Sequence, residues 1–280
     1  LWLAYHLAAD RSTATREILE STVVLLDPCQ NPDGRRRFLQ HLRAWTRRGA
    51  AGPDPHPYAL DHDQLWPGGR RNHYLFDLNR DWAYLTQAET RAHVASFLRW
   101  RPQVLVDLHE MGSRSTYFFP PSAPPMNPLL PSGLGAWLES FGRANAEVFD
   151  ARGLDYYVRE DFDLFYPGYG DSWPSLQGAV GMTYEQATTR GLLIQDGRGG
   201  LRRYQDAVRG HFLAALSTCA HAARQAPQLL DYFEACGREA LDRAAQDEAA
   251  EVILDAGEGP AAVARLGSLL AAQGVELEWS

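Results

Sequence analysis

The sequence predicts an α/β fold, a mixed and mostly parallel sheet flanked by helices. Three observations carry this expectation. Apolar runs at residues 21–26, 103–109 and 180–185 have the length and density of buried strands. Helical stretches at 86–100, 134–151 and 200–225 lie between and after them, and such alternation favours parallel pairing. Polar residues stand where the runs stop, and α/β sheets gather their chemistry outside the carboxyl ends of strands. At 280 residues the chain suits one large domain with a small appendage. The expected boundary falls between residues 1–225 and 226–280.

Taken in order, helices are expected at 1–9 and 12–19, then a strand at 21–26. Asn31-Pro32-Asp33-Gly34 reads as a turn, since proline presets φ and glycine accepts a positive one. Residues 47–72 are rich in Gly, Pro, His and Asp and read as a long surface loop. A short strand at 75–78 and an amphipathic helix at 86–100 follow. The strand at 103–109 leads into a Pro-rich loop at 120–131, a helix at 134–151 and a loop at 161–177. After the strand at 180–185, helices at 200–225 and 228–248 finish the body. Beyond them a strand at 251–254, a helix at 261–272 and a strand at 275–279 suggest the start of a small second α/β unit.

Composition removes several function classes. Hydrophobic residues are 45% and charged residues 22%, ordinary for a globular protein. No apolar run approaches the roughly 18–20 residues of a membrane span. All 27 basic residues are arginine; without lysine, Schiff-base chemistry and the phosphate-loop lysine are excluded. The net charge of −8 sits in residues 226–280, with 11 acidic groups against three arginines. The remainder is neutral and lacks the basic excess of a nucleic-acid binder. Cys29, Cys219 and Cys236 form neither a disulfide framework nor a metal-knuckle spacing.

Three strand-end groups can carry chemistry. Asp77-Leu78-Asn79-Arg80 can present a carboxylate clamp, and the same residues suit a capped turn. In Asp107-Leu108-His109-Glu110, strand alternation puts Asp107 and His109 on one side. Such a histidine suits metal ligation, acid–base work or an ordinary structural hydrogen bond. Gly181-Met182-Thr183-Tyr184-Glu185 ends an apolar strand in a carboxylate, a place that raises a pKa and makes a general base, or simply a surface glutamate.

The order of these groups is more specific than any one of them. Asn31-Pro32-Asp33-Gly34, then Arg70 or Arg71, then Asp77-Leu78-Asn79-Arg80, a strand-end His109, loop tyrosines and a strand-end Glu185 succeed one another. This succession resembles the zinc carboxypeptidases of the carboxypeptidase A type, the M14 metallopeptidases. It looks most like their bacterial branch, by Pro67-Gly68-Gly69-Arg70-Arg71-Asn72-His73 and Tyr166-Pro167-Gly168-Tyr169-Gly170-Asp171. The resemblance spans roughly residues 1–220.

The resemblance implies a zinc-dependent hydrolysis of a peptide bond near a substrate C-terminus. His109 would be a ligand of one zinc ion and Glu185 the general base. Arg70, before Arg71, would stabilise the oxyanion, and Asn79 with Arg80 would hold the terminal carboxylate. Tyr166, ahead of Tyr169, would close over the substrate, and Asp77 would orient a first ligand histidine. The family's His-x-x-Glu pair is absent from these 280 residues, and it is expected just upstream of Leu1. Two zinc ligands would then lie outside this chain, and the chain as given is expected to bind zinc poorly and be inactive. Asp81 beside Arg80 is expected to weaken the clamp, and Asp171 either favours basic side chains or is a solvated loop acid. An amidohydrolase or deacylase, a cell-wall peptide amidase, and a non-catalytic binding module are the competing readings. The partner is a peptide, and the resemblance suggests a secreted or periplasmic setting.

Overall fold

A computed structural model describes residues 1–46, 53–247, 252–255, 257 and 259–278. Helices α1 (Trp2–Ala9), α2 (Thr13–Ser21), α3 (Pro32–Thr46) and α4 (Ala88–Trp100) precede strands β1 (Val104–Met111) and β2 (Tyr117–Phe118). Then come α5 (Leu134–Asp150), α6 (Ser172–Leu176), β3 (Val180–Ala187), β4 (Leu193–Gln195) and β5 (Leu201–Arg203). Helices α7 (Tyr204–Arg224), α8 (Ala226–Gln246) and α9 (Pro260–Ala272) complete the chain.

The main sheet has the order β1-β3-β2. β1 and β3 run parallel, from Val104 opposite Val180 to Met111 opposite Ala187, and β2 adds a short antiparallel edge. The sheet is thus mixed and mostly parallel, as its apolar runs predict. Side-chain alternation sorts its two faces. Val104 and Val106 of β1 join Val180, Met182 and Tyr184 of β3 in a cluster with Leu138, Phe141 and Phe149 of α5 and Leu213 of α7. Leu105 faces the other way, onto Trp82, Val94, Phe97 and Trp173. Asp107, His109, Thr183 and Glu185 share the parity of Leu105, so the sheet delivers its polar strand ends to that second face.

β3 is buried along its whole length, and one glycine in it is dictated by contact. A Cβ on Gly181 would stand 2.1 Å from the Asp171 carbonyl oxygen, so β3 and the start of α6 touch backbone to side. Gly181→Ala is expected to cost about 2 kcal/mol, within the range for overpacking a core. Urea unfolding measures it, and an unchanged midpoint would show that this contact can relax.

Several expectations are corrected. Asn31-Pro32-Asp33-Gly34 opens α3 instead of closing a turn. Asn31 Oδ1 accepts the Gly34 N–H at 2.9 Å and Asn31 O accepts the Arg35 N–H, with Pro32 at the first helical position. Residues 21–26 form no strand: Ser21 ends α2 and 22–27 carry no ladder, with Val23, Leu25 and Leu26 exposed. An apolar run becomes a strand only beside another strand, and no described segment pairs with this one. Residues 75–78 likewise turn instead of extending. The Asn72 N–H donates to Phe76 O, Leu75 takes a φ of 68°, and Leu78–Arg80 forms a 3₁₀ turn. Of the long loop expected at 47–72, residues 47–52 lie outside the described ones. The rest buries His62 and Asn72. The strands expected at 251–254 and 275–279 are not formed over the residues described there.

Candidate active site

Glu185 and His109 are opposite one another in the β1–β3 register. Glu185 is 8% exposed and its Oε2 has no hydrogen-bond partner. Burial pushes its carboxyl up to about 7, against the pull of His109 and Arg70. His109 sits with Nε2 at 2.6 Å from Asp107 Oδ2. Burial alone would lower its pKa, but the Asp107 carboxylate outweighs burial and lifts it to about 9. The same pairing holds buried Asp107 below the usual carboxylate range despite its desolvation.

Asn79 completes this corner. Its Oδ1 accepts the Gly170 N–H at 2.7 Å, which fixes the amide so that Nδ2 faces His109 Nε2 at 3.2 Å. A protonated Nε2 donates to Asp107, so Asn79 Nδ2 and His109 Nε2 then meet as two donors, and the Asn79 side-chain amide can offer its N–H groups to an incoming acceptor.

Arg80 lies exposed beside it, its guanidinium carbon 4.5 Å above the Tyr169 ring. Tyr166 packs edge-on against Tyr169 and its hydroxyl donates to Arg80 O at 3.2 Å. Both loop tyrosines are therefore gathered at Arg80, one under its charge and one on its carbonyl. Arg70 Nε donates to Asp77 Oδ2 at 3.0 Å, with Arg71 3.8 Å from the same oxygen. Asp77 Oδ1 accepts the Asn79 N–H, capping the turn that presents Asn79 and Arg80.

Two acids behave differently from expectation. Asp81 does not turn toward Arg80: it is 5% exposed and turns inward, accepting from the N–H and hydroxyl of Thr86, the Gln87 N–H and the Thr90 hydroxyl. Four donors at the entry to α4 and in its first turn outcompete solvent for it. Asp171 is neither solvated nor open to a substrate. It is buried, accepts from Thr183 Oγ1 at 2.8 Å and the Ser172 N–H, and burial raises it to about 6.

Supporting residues that the sequence reading missed hold these groups from behind. Arg37 of α3 donates to Gly68 O at 2.9 Å and to Asn72 O, clasping the loop that carries Arg70. Asn72 is fully buried and accepts from the Tyr74 and Phe76 N–H groups. His211 of α7 bonds His109 O at 3.0 Å through Nε2 and meets the Tyr117 hydroxyl at 2.9 Å through Nδ1. Burial lowers its pKa to about 4, so it is neutral and its Nε2–H is the donor. No local pattern announces any of the three.

A catalytic zinc needs about three protein ligands. Among the described residues no three His, Cys, Asp or Glu side chains converge to hold a metal. His109 supplies one imidazole, and its Nε2 is already engaged by Asp107. The residues present do not by themselves fit a catalytic zinc.

The sequence pattern of the zinc carboxypeptidases, Peptidase_M14, matches residues 1–128. This span includes Arg70, Asp77, Asn79, Arg80 and His109, while Tyr166, Tyr169 and Glu185 lie beyond it. No curated protein sequence matches the chain significantly. Among solved structures, thrombin activatable fibrinolysis inhibitor superposes with a TM-score of 0.49 at 15% identity, over 80% of this chain and 60% of that one. A metallo-carboxypeptidase from Burkholderia cenocepacia gives 0.42 at 18% identity, over 73% and 56%. The chain spans less than two thirds of either structure. Over residues 1–128, the segment that holds Asp77, Asn79, Arg80 and His109 in that order, the chain is similar to the zinc carboxypeptidase family.

Proposed function

We propose that this chain carries the substrate-anchoring and proton-handling groups of a carboxypeptidase-type peptidase. The observation that supports this best is the buried, unpartnered Glu185 Oε2 on a carboxyl poised near 7, at the strand end beside His109. A base tuned to neutral pH is the group that peptide hydrolysis requires. Arg80 offers a planar fork to the substrate's terminal carboxylate, and the Asn79 amide adds a donor of fixed orientation. Ionised Glu185 takes a proton from an attacking water and returns it to the leaving amine. Arg70, released from Asp77, answers the negative charge that develops on the carbonyl oxygen.

Because Asp81 turns away from Arg80, the clamp keeps its full positive charge, and this favours a free C-terminal acid over an amidase's neutral substrate. The incomplete donor set favours a second reading, a peptide-binding module without turnover. No step of this proposal runs through zinc. The 280-residue chain is expected to take up less than one equivalent of zinc and to hydrolyse little.

Affinity for short peptides as free acids and as C-terminal amides tests the clamp. The parent is expected to prefer the acid by at least about tenfold, the worth of one charge-assisted pair. Arg80→Ala should bring the two affinities together. A parent that binds acid and amide equally would remove the clamp and the carboxypeptidase reading with it.

A further inference from the structure

Helix α9 reaches back across the fold to the rear of the clamp. Leu269 packs against the cluster of Trp82, Leu85, Val94, Phe97, Trp173 and Ala179, and Gly274 lies against Leu98. At the end of the helix, Gln273 spends its whole amide on two other segments. Its Oε1 accepts the Trp173 indole N–H at 2.7 Å, and its Nε2 donates to Trp82 O at 2.9 Å and Ala83 O at 3.0 Å. The orientation is unambiguous, because an indole N–H only donates and backbone carbonyls only accept.

The two segments so joined are those that present the clamp. Trp82 follows Arg80 by two residues, and Trp173 follows the tyrosine loop, its N–H donating to Tyr169 O. In front, Trp82 N–H donates to Gly168 O and Gly170 N–H to Asn79 Oδ1, so the segments already touch there. Gln273 ties them a second time, through the Trp82 and Ala83 carbonyls and the Trp173 indole, among rings that are 4% exposed. Ties at two separate sets of atoms restrain the segments from pivoting about either one.

We infer that Gln273 is a positioning residue that fixes Arg80 over Tyr169 by holding the Trp82–Ala83 backbone to Trp173. What that fixed geometry is for rests on the function proposed above, but the tie itself does not. Its test is hydrogen–deuterium exchange of the full chain as Gln273→Met, which keeps length and bulk and removes all three bonds. Leu269→Asp, which forces α9 off its cluster, is the stronger companion.

In Gln273→Met, residues 79–85 and 166–173 are expected to exchange at least about tenfold faster while β3 stays protected. Faster exchange confined to 260–274 would overturn the inference. Loosening of both segments in Leu269→Asp but not in Gln273→Met would overturn it too, since packing and not the amide would then do the holding. In a parent that prefers the free acid, Gln273→Met should also weaken that preference. A parent with no such preference breaks the functional reading and leaves the exchange result standing.

Discussion

Replacing Glu185 with glutamine is expected to raise the stability of the metal-free chain at pH 8 by about 2 kcal/mol while it removes the proposed base. The carboxyl goes from 4.5 to about 7 on folding, so the folded chain holds the proton more tightly than the unfolded one. A raised pKa contributes stability that is full below about 4.5 and lost as pH climbs through 7. At about 1.4 kcal/mol for each factor of ten in proton affinity, the buried anion costs about 3 kcal/mol at pH 8. Glutamine carries no charge and recovers most of this, less the cost of finding partners for its amide. The gain should vanish at pH 4, where the parent carboxyl is protonated when folded. Thermal unfolding of both proteins at pH 8 and pH 4, in the presence of a chelator, measures it. In a preparation that hydrolyses peptides, the same change should cut turnover by about a thousandfold. A variant less stable than the parent at pH 8 would show that Glu185 has partners in solution, and its role as a poised base would fall.

Asp81→Ala is expected to destabilise the fold by about 3 kcal/mol, the scale for a buried carboxylate whose donors are left unpaired. Its oxygens gather the Thr86 N–H at 3.0 Å, the Thr86 hydroxyl at 2.6 Å, the Gln87 N–H at 2.9 Å and the Thr90 hydroxyl. Removing it strands these groups at the entry to α4, the helix that buries Val94 and Phe97 behind the clamp. Asp81→Asn keeps one acceptor oxygen and should lose about half as much. Equilibrium urea unfolding separates the three proteins. If Asp81→Ala unfolds at the parent's midpoint while the acid-over-amide preference of the protein rises, the carboxylate acts on Arg80 after all.

The parts of the fold that were readable from sequence are those whose cause is local. The apolar runs of β1 and β3 and the periodicity of α4, α5 and α7 sit in consecutive residues, and the strand-end positions of His109 and Glu185 follow from alternation. Asn31-Pro32-Asp33-Gly34 misled because an N-cap followed by proline and a tight turn use the same residue types. The runs at 21–26 and 75–78 misled because a strand is a property of two segments and only one is visible at a time. Asp81 misled because a carboxylate beside an arginine in sequence need not face it, and Asp171 because an acid in a loop can turn inward onto Ser172 and Thr183. The reach of Arg37 to Asn72 spans 35 residues and that of His211 to His109 spans 102, and separations of that size leave no mark on local pattern.

The pairing of β1 with β3 also sets how this chain must fold. Val104 and Val180 lie 76 residues apart, and everything between them has to be looped out before the first ladder bond forms. Helices α4, α5 and α7 need only neighbouring residues, so they can exist early, while the apolar strands wait. During that wait two apolar segments with unsatisfied backbone compete for partners on other molecules. Even in the finished fold β1 has no second ladder neighbour among the described residues. Yield on refolding should therefore fall as protein concentration rises, because collision between chains then outruns closure within one.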